Sequence, residues 1–204
     1  MHPQQVLAFG ILLAAAAVVL LGMVANVLTA ALALAGFYFY VLIYTRWLKR
    51  TTPQNIVIGG AAGAVPPLVG YAAVTGNLTL PALWLFLIVF LWTPPHFWAL
   101  ALLIRRDYEA ARIPMRPVVR GERETTRQIL LYAVVLVAAT VFPVVWGPLG
   151  FLYLGAALLL GGAFLWLALA LRRETTPRRA ALLFHFSLLY LALLFAAMAV
   201  DPLL

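Results

Sequence analysis

RRDYEAARIPMRPVVRGERETTR, residues 105–127, is the longest polar stretch in a chain that is otherwise almost wholly apolar. It holds four of the six acidic residues, Asp107, Glu109, Glu122 and Glu124, and seven of the fourteen basic ones. Pro114 and Pro117 favour an extended path through it. A charged segment of this length between two apolar runs is a place for chemistry, although a solvated connector has the same composition.

Outward from this stretch the chain reads as membrane. Of 204 residues, 66% are hydrophobic and 10% charged, and the mean hydropathy is +1.04. Soluble domains carry about 25% charged residues. The apolar runs are long enough for helices that cross a bilayer, which takes about 20 residues each. Their length and their Leu, Ala and Val content favour an all-α integral membrane bundle over a barrel. The spacing predicts seven spans, near Val6–Met23, Val27–Tyr44, Ile56–Val74, Leu80–Ile104, Ile129–Trp146, Leu149–Leu171 and Ala180–Val200. The first run lacks a basic leader, so it reads as a span and not as a cleaved signal peptide. With no cysteine, disulfides and thiolate metal sites are excluded.

The connectors alternate in character. Segments 22–26, 75–79 and 146–150 are short and uncharged, whereas 45–55, 105–127 and 172–179 hold every Lys and Arg. The positive-inside rule places the basic loops and the N-terminus in the cytoplasm and the C-terminus outside. The net charge of +8 is therefore a matter of topology and does not point to nucleic acid.

Polar side chains within spans are costly and so informative. His96 precedes Arg105 by nine residues, which puts it about 13 Å from the basic edge at the helical rise. His185 lies about 9 Å from the same edge. Tyr44, Asn55, Thr93 and Ser187 also fall in that half. The pattern predicts a cavity open toward the cytoplasm with 105–127 over its mouth. Each histidine could equally be satisfied inside a helix interface. Pro66-Pro67 and Pro94-Pro95 predict kinks, and Gly59 with Gly63 has the spacing of close helix contact. No phosphate-binding glycine loop or HExxH is present. Carboxylates and guanidinium groups at a membrane surface suit an amphiphile with an anionic head: carboxylates could hold Mg²⁺ on a diphosphate, and Arg and Lys could neutralise it.

Residues 107–119, DYEAARIPMRPVV, resemble a loop of the protoheme IX farnesyltransferases, the heme O synthases among the UbiA-type membrane prenyltransferases. Three further strings match in order: 44–71 (YTRWLKRTTPQNIVIGGAAGAVPPLVGY), 92–102 (WTPPHFWALAL) and 184–201 (FHFSLLYLALLFAAMAVD). Arg112 stands where that family has glycine, and Arg116 where it has an apolar residue.

The resemblance implies one nine-helix prenyltransferase domain with a cytoplasm-facing site, in a bacterial-type inner membrane. It implies farnesyl transfer from farnesyl diphosphate to a vinyl group of heme B, giving heme O for cytochrome oxidase cofactor synthesis, with Mg²⁺ as cofactor and heme A synthase as a partner. Asp107 would be the catalytic carboxylate and Mg²⁺ ligand. Lys49, Arg50 and Arg106 would bind diphosphate, Tyr44, Asn55 and Tyr108 would line the pocket, and His96 or His185 would contact heme. The family's first Asp-rich motif, NDxxDxxxD, has no counterpart, since no acidic residue precedes Asp107. The expectation is thus a copy shortened by two helices and that motif, and inactive or nearly so by itself. The competing expectations are a UbiA-type enzyme with another acceptor, and a non-enzymatic membrane protein such as a small transporter or degenerate remnant. A transporter would be supported by internal inverted repeats, and none is evident.

Overall fold

A computed structural model describes residues 3–147 and 149–203. It is built of helices α1 (Pro3–Val24), α2 (Val27–Tyr38), a π-helix (Phe39–Leu48), α3 (Lys49–Thr51), α4 (Asn55–Gly63), α5 (Val65–Thr75), α6 (Leu80–Leu103), α7 (Arg105–Ala110), α8 (Arg116–Val119), α9 (Gly121–Trp146), α10 (Phe151–Arg173) and α11 (Pro177–Val200). There is no strand among the described residues. Seven helical stretches are long and apolar enough to cross a membrane, so the chain is a multi-pass helical membrane protein.

Helices α6, α9, α10 and α11 close a four-helix ring, each packing on its two neighbours. The large buried side chains Trp98, Tyr153, Phe164 and Tyr190 fill it. Tyr153 and two nearby tryptophans find carbonyls across the helices, as hydrocarbon surroundings require, and Tyr190 Oη donates to Thr140 Oγ1 at 3.3 Å, whereas the buried Trp98 Nε1 has no hydrogen-bond partner among the described residues. Tyr153 Oη donates to Thr140 O at 2.7 Å, Trp84 Nε1 to Ala139 O at 2.8 Å and Trp92 Nε1 to Ser187 O at 2.7 Å. Helices α4 and α5 lean on α6, α2 leans on α5, and α1 packs on α2. Of the apolar window of α6, 56% is buried, against none of α1. The axis of the molecule is therefore α6, the helix that carries His96.

The expected span ends move in two places. Residues 45–51 continue the second span as helix, because Leu48 is buried there and the first proline to stop it is Pro53. Residues 121–128 are the first turns of α9 and not loop. Glu122 and Glu124 in its first turn suit the positive end of the helix dipole, and Thr125 and Thr126 are buried. Segment 105–127 is thus two short helices leading into a long one. Pro66-Pro67 opens α5 after a break at Ala64, whereas α6 runs unbroken through Pro94-Pro95.

Basic segments gather at one end of the bundle. Arg105 reaches Glu122 at 3.2 Å, and a surface cleft joins Asp107 to Pro177 at the start of α11. At the opposite end the Asp201 carboxylate accepts hydrogen bonds from the Gly150 and Tyr153 amides, and Asn26 Nδ2 donates to Ala72 O at 2.7 Å. The expected 146–150 connector includes residue 148, which lies outside the described residues, as do the two chain ends.

Candidate active site

The π-helix makes one wall of the candidate site. Its wider i→i+5 turn, marked by Lys49 N–H on Tyr44 O, brings Tyr40 and Tyr44 almost into line. Their rings stack with centroids 5.4 Å apart. The Tyr44 ring meets α4 at Gly59, where an added Cβ would collide with it. A Cβ on the next residue, Gly60, would come within 3.0 Å of Thr93 on α6. Gly63 meets nothing within 4 Å, so close packing depends on Gly59 and Gly60 and not on the Gly59/Gly63 spacing. Between these walls is a cavity of about 280 Å³, lined by aromatic and small side chains including Tyr40, Tyr44, Gly63, Trp92 and Phe97.

The charged part of the site is separate. Arg105, Arg106, Asp107, Glu109, Glu122 and Pro177 line an open cleft of about 610 Å³ at the basic end. Within it Arg105 bridges Glu109 at 2.8 Å and Glu122 at 3.2 Å. Elsewhere Arg116 and Arg127 hold Glu124, and Arg179 holds Glu174 at 2.6 Å. Every glutamate is therefore tied to an arginine. Asp107 alone among the carboxylates of this end has no ion-pair or hydrogen-bond partner among the described residues, and it is exposed.

Tyr108 is half-buried and packs against the core, and it lines neither the cavity nor the cleft. Burial pushes its phenol above the ordinary value, which keeps it a neutral hydrogen-bond donor. Lys49 is half-buried and Arg50 exposed, and neither lines either recess. The Lys49 carbonyl accepts the Asn55 amide at 3.4 Å. Asn55 is fully buried and its Oδ1 has no partner among the described residues. Arg106 is in the cleft beside Asp107.

The two histidines share a tautomer but not a location. Ser187 gives its one hydroxyl hydrogen to Phe184 O at 2.6 Å, so it must accept from His96 Nδ1–H at 2.7 Å. His185 Nδ1 lies 2.7 Å from Ala181 O, which can only accept. Both rings therefore carry a hydrogen on Nδ1. His96 is sandwiched between Trp92, at 4.2 Å, and Phe184, at 4.7 Å, whereas His185 is exposed. The structure does not bring His185 into the cavity. Tyr40, Trp92 and Phe97 escaped the sequence reading of the pocket. The i,i+4 spacing of Tyr40 and Tyr44 was their one visible signal.

A multi-span helical bundle with an aromatic cavity and a charged cleft defines the class: an all-helical, multi-pass membrane protein. The UbiA prenyltransferase family model matches residues 1–199, and the chain belongs to that family. Among curated relatives, protoheme IX farnesyltransferase of Roseiflexus sp. (strain RS-1) is 59% identical over 195 residues, covering 96% of this chain and 36% of that protein. The protein of the same name from Brucella ovis is 54% identical over 205 residues, covering 98% and 66%. The chain thus spans between about a third and two thirds of the length of these relatives. No solved structure matches it.

Proposed function

We propose that this chain forms the greater part of a site that moves a farnesyl group from farnesyl diphosphate to a vinyl group of heme B, yielding heme O. The relatives' shared name supports the substrates. The observation that carries the chemistry is Asp107, the one carboxylate of the basic end not neutralised by arginine.

The residues fit a Mg²⁺ ion in a limited way. No cluster of three potential ligands exists among the described residues, and Asp107 offers a single carboxylate. That suffices for a hydrated Mg²⁺ whose remaining ligands are phosphate oxygens, the usual mode for this ion. When bound, it would neutralise charge on the departing diphosphate. Arg106 supplies fixed positive charge in the same cleft, and Lys49 and Arg50 add positive charge from α3. The cavity of about 280 Å³ is at the lower edge of ligand-binding volumes, which run from about 300 Å³. It suits one apolar chain and is too small for a chain and a macrocycle together. The prenyl tail lies there, and the faces of Tyr40, Tyr44 and Trp92 stabilise positive charge developing on its reacting carbon. Heme approaches from outside the cavity. In both histidines Nδ1–H is fixed by an oxygen, the arrangement in which a neutral imidazole ligates through Nε2. Exposure favours His185 for iron, and His96 for bracing the α6–α11 wall. The basic end is cytoplasmic, and heme A synthase is the partner that takes the product.

The test is Asp107→Asn in a full-length version, assayed in membranes for heme O formation and, apart from turnover, for Mg²⁺-dependent retention of farnesyl diphosphate. Loss of a metal ligand at a charge-developing site should reduce both by about a hundredfold or more. Unchanged retention at equal protein level would remove Asp107 from the diphosphate site.

A further inference from the structure

Beside α9 and α10, away from the cleft and the aromatic cavity, a second recess opens at the basic end. Its volume is about 730 Å³, and it is lined by Arg120, Arg123, Glu124, Arg127 and Arg172. We propose that this recess seats the phosphate headgroup of an anionic bilayer phospholipid, independently of the prenyl transfer proposed above.

Charge is the first argument. Four guanidinium groups face one carboxylate, and that carboxylate is already shared with Arg116 from outside the recess, at 3.7 Å, and with Gln128 at 2.9 Å. Arg120, Arg123 and Arg172 have no carboxylate partner among the described residues. Like charges gathered from two helices repel one another unless an anion sits between them. Planar guanidinium groups meet phosphate oxygens in pairs of hydrogen bonds. Basic pockets between helix ends at a membrane surface are seats for acidic headgroups for this reason.

The walls argue for a lipid over a free anion. On α9, residues four, seven and eight beyond Arg127 fall on the same face, in the direction of the bilayer interior. These are Leu131, Val134 and Val135, which are 48%, 50% and 51% exposed. A headgroup in the recess therefore has an apolar track directly below it for its acyl chains. The recess itself has no aromatic or small-residue wall and shares no lining residue with the Asp107 cleft, so it is not a second view of the diphosphate site.

The experiment uses the purified protein in mild detergent, exchanged into mixed micelles with phosphatidylglycerol, with phosphatidylcholine, or with inorganic phosphate. Retained lipid is measured by native mass spectrometry, and stability by thermal unfolding. The protein should retain phosphatidylglycerol about tenfold over phosphatidylcholine and should unfold at higher temperature with it, while inorganic phosphate at equal concentration displaces little. Arg123→Gln/Arg172→Gln should abolish the preference, whereas Arg46→Gln/Arg178→Gln, at the same end but outside the recess, should keep it. If the first pair does not fold, Arg120→Gln alone should weaken the preference severalfold. Equal preference in the recess and control variants would overturn the proposal. Full displacement by phosphate would show an anion site with no lipid role, and would overturn it too.

Discussion

Arg112 is the residue whose backbone is most at odds with its side chain. Its φ of 54° is the one positive value at a non-glycine among the described residues, and the resemblance expects glycine there. The left-handed conformation costs a Cβ-bearing residue about 1–2 kcal/mol. Glycine would relieve that while adding about 0.4–1 kcal/mol of unfolded-chain entropy. The relief is the larger, so Arg112→Gly should raise stability slightly, by up to about 1 kcal/mol, in thermal unfolding. A lowered midpoint would mean that the arginine side chain contributes more than its exposed position suggests. Gly59 carries the opposite lesson. A methyl group there strikes the Tyr44 ring, so Gly59→Ala should cost about 1–3 kcal/mol through overpacking and impair retention of farnesyl diphosphate. Gly63→Ala should change stability little, because its Cβ would meet open space. Equal damage from both would restore the Gly59/Gly63 pair as a packing motif.

At the scale of elements, α10 begins where its amides need acceptors, and the acceptor comes from the far end of the chain. Asp201 follows α11 by one residue and receives the amides of Gly150 and Tyr153. It serves the N-terminus of α10 as a local cap would, and it ties two spans at the end opposite the basic loops. Asp201→Ala should lower the unfolding midpoint by a few degrees and loosen α10 first, seen as faster amide exchange over residues 150–154. Unaltered exchange there would show that the clasp is dispensable. The π-helix is the other element with a consequence. Sequence spacing suggests an ordinary span ending at Tyr44, but the wider turn stacks Tyr40 on Tyr44 and shapes the cavity. Nothing local in FYVLIYTRWL announces that turn, in which the Tyr44 ring meets α4 at Gly59.

For the whole molecule, reporter fusions after Gly76, Arg120 and Leu203 test the orientation. The expected readout is external, cytoplasmic and external, and an inverted pattern would move the proposed site to the other side of the membrane. The sequence by itself determined the membrane class, the seven spans, the grouping of basic loops and the family. Each of these follows from one-dimensional quantities: the length of apolar runs, the position of charge between them, and ordered strings such as WTPPHFWALAL. Where the spans end was less legible, since residues 45–51 and 121–128 are polar enough to pass for loop yet are held as helix by the buried Leu48, Thr125 and Thr126. Only the tertiary structure decided which polar groups are spent and which are free. Arg105 neutralises Glu109 and Glu122, Arg116 and Arg127 neutralise Glu124, and Asp107 is left over. It also parted His96 from His185, placing one between two aromatic rings and the other on an exposed face. The physical reason is that burial and ion pairing are properties of neighbours in space. Arg105–Glu109 and Glu124–Arg127 are at helical spacing and legible locally, but Arg105–Glu122, Arg116–Glu124 and the surroundings of His96 join different helices, across separations along the chain that no local pattern records.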